Sequence, residues 1–529
     1  MDGIELALLA SRAQAVCEEM GVVLRRSAFS PNIKDRLDFS CALFDAGGAL
    51  FAQAAHIPVH LGSMAFAMRD LVVAERWQPD DVLVVNDPFL GGTHLPDVTV
   101  VVPVFQGGMR IGFAVTRAHH ADIGADTPGS MPLSRRLEEE GVVIPPLLLE
   151  REGRVTDAAA SILARLAGDD LPEATAHWSE APRLADFAAQ VSAARAGARA
   201  LAALAAETGP AAFGGAVAAL GDYAERLARA TLAEIPDGSW SAEDVLDDDG
   251  FGHDELRIAV RVDVHGETAT VDFAGTATQV AGNLNCPLSV AAAAVFYVFR
   301  CLMPPETPAS GGAFRPVTLR AQEGCLLHAR RPAAVAAGNV ETSMRVVDVL
   351  LRALAPALPE RIPAAAQGTM NNVAMGHRGA RSWDYYETLA GGLGAHAAGP
   401  GIDAVHAHMT NTLNTPVESL EAHYPLRVER YAVRRGSGGA GRHRGGDGVI
   451  RSYRFLEDAT VTLLGERRTH GPWGLAGGAD GAPGAAFLDG EALPGKCRLD
   501  VRAGSLLELH TPGGGGWGRP SGNDEESRS

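Results

Sequence analysis

"GGTHLPDVTVVVPVFQGGMRIGFAVTRAHHADIG", residues 91–124, sets two runs rich in β-branched residues on either side of a Gly-Gly pair, with His and Asp at both open ends. The runs and the pair Gly107-Gly108 predict an antiparallel hairpin in which 98–105 pairs with 111–116. A ladder centred there sets Asp97 opposite Ala118 or His119, within side-chain reach. His94 stands one Leu-Pro step before Asp97, and Pro96 stiffens the link so that both side chains can turn toward one point. Two imidazoles and a carboxylate converge, and Asp38, at the head of another strand run, is the candidate fourth ligand. Such a mixed nitrogen and oxygen set suits Zn²⁺, Mn²⁺ or Fe²⁺ better than Ca²⁺ or a thiolate zinc site.

The neighbouring residues allow less. Five of the 17 histidines (His56, His60, His94, His119 and His120) fall in this one stretch. "HIPVH" (56–60) reads as a packing element or an outer support of the site rather than as ligands. His120 and Asp122 are the candidate catalytic groups for moving a proton, or else supports behind the ligands. Cys41 and Cys286 lack an activating pattern and read as small core residues, and no G-x-S-x-G elbow is present. Metal-activated water is the economical nucleophile that remains.

Outward from the hairpin, the pattern changes by region. Residues 1–150 are strand-rich, with "DFSCALFDAGGALF", "DVLVV" and the hairpin itself, after an N-terminal stretch with apolar residues at helical spacing. Residues 151–240 carry Ala and Leu at spacings of three and four and read as a helical section that "DGSWSAEDVLDDDG" brings to an end. A mixed α/β region follows at 241–430, opening with alternating strands around His265-Gly266. Residues 431–518 are Gly-rich β structure, with glycine at a density suited to β-turns and left-handed positions, and 519–529 read as a frayed, disordered tail. The expected fold class is mixed α/β (α+β) and multi-domain; at 529 residues the chain exceeds the roughly 250–300 at which a single core stops growing.

Composition excludes several functions. Lys plus Arg is 46 against 64 Asp plus Glu, a net charge of −18 that repels a phosphate backbone, so no nucleic-acid partner is expected. The longest apolar stretch, "PLSVAAAAVFYVF" (287–299), is shorter than the ~20 residues a bilayer requires, so no membrane partner is expected either. Six dispersed cysteines without a C-x-x-C pair suit a reducing, cytoplasmic setting. The Gly-rich segments near Arg434, Arg435, Arg442 and Arg444 match no nucleotide-binding motif, so ATP chemistry is expected in another chain.

A long series of motifs resembles the hydantoinase B/oxoprolinase family: "RLDFSCALFD", "HIPVHLGSM", "NDPFLGGTHLPDVTVVVPVF", "HHADIGADTPGSMP", "AGNVETS", "YYETLAGGLGA", "SGGAGRHRGGDG" and "TPGGGGWG". Three positions differ from the family's habit: Asp35 where Glu is usual, Phe89 where Tyr is common and Ala125 where Gly is frequent. The resemblance implies metal ligands at Asp38, His94, Asp97 and His119, the cluster already reached from the hairpin. It further implies a hetero-oligomer in which a hydantoinase A-type, ATP-binding subunit phosphorylates a small cyclic amide. This B-type chain would then hydrolyse the activated amide with a metal-activated water. Two alternatives accompany that expectation, a subunit of a ketone carboxylase of the acetone or acetophenone type and a non-catalytic, metal-stabilised scaffold.

Overall fold

The computed structural model describes residues 3–520 apart from 55, 74, 168–177, 180, 182–183 and 380–381; the expected tail lies, from 521 on, outside the described residues. Its first sheet contains β1 (Phe39–Asp45), β2 (Leu50–Gln53), β3 (Val82–Val85), β4 (Asp97–Gln106), β5 (Met109–His119), β6 (Leu147–Arg151) and β7 (Arg154–Val155). The order β2-β1-β5-β4-β3-β6-β7 is antiparallel throughout, and the quoted hairpin, β4 and β5, lies within it. Gly107 and Gly108 take φ of +59° and +78°, the left-handed pair that a two-residue hairpin turn needs.

Both faces of this sheet are covered, so both halves of the strand period are apolar. Cys41, Leu43, Ala114 and Ala118 pack toward α1 (Gly3–Ser27) and the later helices of the Ala-rich section. Ala42, Phe44, Phe113 and Val115 pack on the other face with Met64, Met68 and Leu71 of a helix at Pro58–Val73. With a short helix α2 at Pro31–Lys34 between them, that helix is α3. The Ala-rich section supplies α4 (Asp157–Ala167), α5 (Ala185–Ala206) and α6 (Pro210–Ala233). Small Ala side chains let α5 lie close over β4 and β5, with Ala189, Ala193 and Val191 in the shared cores. Among the described residues no single helix is long and apolar enough to cross a membrane; α5 and α6 together pass by composition but are bent by 104°.

The second sheet comprises β8 (Gly238–Asp248), β9 (Asp254–His265), β10 (Thr268–Asp272) and β11 (Val317–Arg320), in the order β11-β10-β9-β8. "DGSWSAEDVLDDDG", expected only to close the helical section, is thus largely strand β8. Its alternating polar residues lie exposed while it pairs along β9 from Gly238 to Asp248. Helices α7 (Leu288–Leu302) and α8 (Ser343–Leu354) pack on this sheet in the largest core.

The rest is a β-sandwich. One layer is β12 (Asn372–His377), β13 (Trp383–Glu387), β16 (Ala459–Leu464) and β19 (Lys496–Val501). The other is β14 (Leu426–Arg434), β15 (Gly448–Phe455), β17 (Ala485–Leu488), β18 (Glu491–Leu493) and β20 (Leu506–His510). Val373, Val461 and Val501 from the first layer meet Tyr453, Phe455 and Leu507 from the second. The glycines of this region were expected to serve turns, and Gly436, Gly477, Gly490, Gly504 and Gly518 do have positive φ. Most of the others serve close packing of backbone on backbone: a Cβ on Gly392 would stand 1.9 Å from the Gly446 carbonyl oxygen, and one on Gly445 as close to that of Gly514. Arg434 and the exposed Arg444 are engaged within the protein, on the carbonyls of Pro483 and Thr511 and on Asp403 respectively.

Candidate metal centre

Asp97 faces His119 directly across the β4–β5 ladder. One ligand atom from each of His94, Asp97 and His119 lies within 4.8 Å of the others, and all three residues are buried. Asp38 precedes β1, and its backbone carbonyl accepts the His119 N–H at 3.0 Å, which ties the third strand to the hairpin's open end. Its carboxylate, 3.8 Å from Arg36 Nη2, lines the same cavity as the other three. That cavity, of about 20 Å³, holds one water-sized particle or one ion.

The cavity draws on segments far apart in the chain. His60 comes from α3, Asn339 and Val340 from a π-helical turn at Gly338–Thr342, Tyr386 from β13, and Met409, Thr410 and Thr412 from the segment before α9 (Val417–His423). A Cβ at Gly338 would stand 1.9 Å from the Asn285 carbonyl oxygen, so only glycine lets this turn seat itself. Three donors then converge on one oxygen of Asp97. Thr93 Oγ1 lies 2.5 Å from Oδ2, Asn339 Nδ2 3.2 Å and His60 Nε2 3.3 Å. Ser40 Oγ, 3.0 Å from His60 Nδ1, orients the last of these. The other oxygen, Oδ1, lies 3.3 Å from His94 Nε2, but neither of these atoms makes a hydrogen bond of good geometry, and Nε2 of His119 has no hydrogen-bond partner.

Three orphaned polar atoms around one small hollow match what an ion would satisfy. His94 Nδ1 lies 3.2 Å from the Ala336 carbonyl, which fixes its proton there and leaves the Nε2 lone pair free. His119 is arranged differently. Arg36 Nη1 donates to Asn32 Oδ1 at 3.2 Å, which turns the Asn32 amide nitrogen toward His119 Nδ1, also at 3.2 Å. For His119 to ligate through Nε2, the Asn32 amide must turn over to accept a proton from Nδ1. Burial would raise the Asp97 carboxyl, but His94 and His60 hold it well below the usual carboxylate range. Burial, with His94 beside it, drives His119 well below its ordinary value, so its imidazole is neutral at pH 7. Burial would also lower His94, and Asp97 reverses this into a rise. Asp38 is raised by burial against the pull of Arg36.

His120 and Asp122 are not brought to this cavity. His120 follows His119 by one strand residue and so projects to the opposite face, where its ring packs on Phe187 and its Nε2 lies 2.8 Å from Gln190 Oε1 of α5. Asp122 caps the Gly124 N–H and lies 3.8 Å from Arg378. Two contributors escaped the sequence reading, Asn339 and Tyr386, whose ring stacks on His119 at 4.8 Å; His60, a direct partner of Asp97, lies in the "HIPVH" stretch read as packing or outer support. Asn339 and Tyr386 lie inside the motifs "AGNVETS" and "YYETLAGGLGA", where the glycine-flanked polar cluster is the available signal.

The family model for hydantoinase B/oxoprolinase matches residues 2–520. The chain belongs to this family. It is 38% identical to 5-oxoprolinase 1 of Arabidopsis thaliana over 98% of its length, and spans 42% of that longer protein. It is 32% identical to the B component of a putative D-/L-hydantoinase from a Pseudomonas species, covering 98% of this chain and 90% of that one. Among solved structures, the ATP-dependent caprolactamase of Pseudomonas jessenii superposes with a TM-score of 0.88 at 28% identity, covering 98% of this chain and 92% of that one. Family members thus include proteins named for opening cyclic amides.

Proposed function

We propose that this chain is the B-type component of an ATP-dependent cyclic amide hydrolase, acting on a substrate that an A-type partner has phosphorylated. The observation that carries the reading is the orphaned trio of His94 Nε2, Asp97 Oδ1 and His119 Nε2 around a hollow the size of one ion. The donor set of two imidazoles with carboxylates at Asp97 and Asp38 fits Zn²⁺, Mn²⁺ or Fe²⁺. When bound, such an ion supplies Lewis acidity, which makes water a better nucleophile at neutral pH and stabilises negative charge developing on a carbonyl oxygen.

The chain's own residues prepare that event. Thr93, Asn339 and His60 occupy Asp97 Oδ2, so Oδ1 is left to face the cavity and His94 Nε2, 3.3 Å away. Ala336 holds the His94 ring, and Tyr386 holds that of His119 by stacking. Buried apolar neighbours, among them Val59, Val340, Met370 and Met409, exclude bulk water, so charges in the cavity act at low dielectric. With His120 turned to the other face, His60 acts as a positioning residue: its Nε2 proton is spent on Asp97 Oδ2 while Ser40 holds its Nδ1.

The test is co-expression with the A-type partner, followed by phosphate release and ring-opened product measured in parallel for hydantoins, lactams and 5-oxoproline. The wild-type complex is expected to carry about one divalent transition ion per chain. His94→Ala is expected to lose the ion and the product while the complex still assembles and still turns over ATP. Product at the wild-type rate from a metal-free His94→Ala complex would overturn the reading. Turnover confined to a ketone plus bicarbonate would replace it with a carboxylase, and unchanged activity with lost assembly would favour the scaffold.

A further inference from the structure

Beside the metal cavity lies a much larger cleft, of about 870 Å³, bounded by α1, β2, the end of α7 and the loop that follows it. The two hollows share a wall. Ile57 lines both. Ser40, on the cleft side, is hydrogen-bonded to His60 on the cavity side, and Asn411 of the cleft stands between Thr410 and Thr412 of the cavity.

The cleft's lining is close to neutral. Its charged side chains are Arg300 and Glu306, of opposite sign. Arg300 is already engaged, donating to the carbonyls of Pro304, Pro305 and Thr307 at 3.1–3.2 Å, so it clamps its own loop. Phe51, Phe314, Met303 and Leu6 supply apolar wall. One polar chain reaches in from the protein interior: Tyr297 lines the cleft with its hydroxyl 3.5 Å from His408 Nδ1, and His408 Nε2 lies 3.5 Å from Asp348 Oδ1. Arg467 in turn donates to Asp348 Oδ2 at 2.8 Å. His408 holds φ at +54°, a left-handed conformation that costs a non-glycine residue about 1–2 kcal/mol and that its surroundings impose.

We propose that this cleft holds the ring and ring substituent of the substrate. Its lining selects a neutral cyclic amide bearing a bulky apolar group over a carboxylate-bearing one such as 5-oxoproline, and Tyr297, whose own proton faces His408 Nδ1, is the acceptor for the substrate's ring N–H. The proposal rests on the cyclic amide reading above. Three arguments carry it. The volume falls in the roughly 300–1,000 Å³ range that holds drug-sized ligands, far beyond what an unsubstituted five-membered ring fills. The one arginine of the described lining, Arg300, has both Nη atoms turned to its own loop's carbonyls and shares the wall with Glu306, so a carboxylate meets no net positive charge to offset its desolvation. A hydroxyl oxygen whose proton is spent on His408, by contrast, suits a neutral amide N–H.

Cys301, exposed and in the lining, gives a readout independent of ATP, metal and product. The complex with the A-type partner is treated with N-ethylmaleimide, and the Cys301 peptide is followed by mass spectrometry in the presence of 5-benzylhydantoin or 5-oxoproline. The benzylhydantoin is expected to protect Cys301, 5-oxoproline at equal concentration to leave its rate unchanged, and Tyr297→Phe to raise the half-protecting concentration about fivefold, the worth of one hydrogen bond. Equal modification rates with and without 5-benzylhydantoin would overturn the cleft assignment, and stronger protection by 5-oxoproline would overturn the selectivity. Protection that Tyr297→Phe leaves unchanged would overturn the acceptor role. Parallel measurement of ring opening separates the two proposals: protected Cys301 in a wild-type complex that opens no ring keeps the cleft and refutes the hydrolase.

Discussion

At the scale of single residues, the site is governed by which atom of each side chain is left free. Asp97 spends Oδ2 on three donors and keeps Oδ1, and His94 spends Nδ1 on Ala336 and keeps Nε2. His119 is the exception, because Arg36 turns the Asn32 amide the wrong way for an Nε2 lone pair. Asn32→Asp removes the conflict by offering an acceptor to Nδ1–H, and Arg36 then faces a carboxylate instead of an amide. It is expected to tighten metal binding by about tenfold, the lower end of what an outer partner of a ligating His contributes, measured by competition with a chromogenic chelator. His120 obeys a different logic. His120→Leu leaves Gln190 Oε1 unpaired in the interior and is expected to lower unfolding free energy by about 1–3 kcal/mol in urea titrations, with metal content unchanged. Loss of the ion in that variant would restore His120 to the site.

At the scale of elements, the cavity depends on two segments that carry no ligand. The π-helical turn at Gly338–Thr342 brings Asn339 over Asp97, and the 3₁₀ turn at Leu137–Glu140 anchors the strand-like stretch before it. Glu140 does the anchoring: its Oε1 accepts the Val335 and Ala336 N–H groups at 2.9 Å and the Ser134 hydroxyl at 2.8 Å, and Ala336 in turn holds His94. Burial pushes the Glu140 carboxyl from 4.5 up to about 7, against the pull of those donors. An acid raised in the folded state binds more protons folded than unfolded between these values. Its contribution to stability is complete below about 4.5 and is lost as pH rises through about 7. Glu140→Gln keeps the acceptor oxygen and removes the titration. Relative to wild type, the variant is expected to gain on the order of 2 kcal/mol between pH 4.5 and 7.5, read as a Tm difference that grows with pH. A constant difference across that window would show that Glu140 is not the titrating group.

At the scale of the whole molecule, the metal centre is a junction. Ligands come from the first sheet, supports from α3 and the π-helical turn, and the roof from β13 and the segment before α9. Arg36 strengthens the same junction, reaching from behind α2 to the Tyr386 carbonyl at 3.0 Å and Thr388 Oγ1 at 3.1 Å. An ion bound there is expected to stabilise the folded chain as a unit. With free ion at a hundredfold over Kd the gain is about 2.7 kcal/mol, seen in calorimetry as an upward shift of the main transition that a chelator reverses. A chelator that leaves every transition in place would place the ion elsewhere.

Much of this was readable from local pattern. The hairpin, its turn, the pairing of Asp97 with His119 and the three helices of the Ala-rich section follow from periods of two and 3.6 and from glycine's freedom at positive φ, all short-range properties of the chain. The same period of two also separates His119 from His120, a distinction that proximity in sequence concealed. What lay beyond local pattern is whatever depends on distant segments meeting. Asn339 and Tyr386 reach Asp97 and His119 across more than 200 residues, and no periodicity records such an approach. The C-terminal glycines read locally as turns, yet most of them exist for backbone-to-backbone contacts whose other half lies tens of residues away, between Gly392 and Gly446 or Gly445 and Gly514. A residue's own neighbours set its backbone; which of its atoms remains unsatisfied, and therefore able to bind, is set by packing.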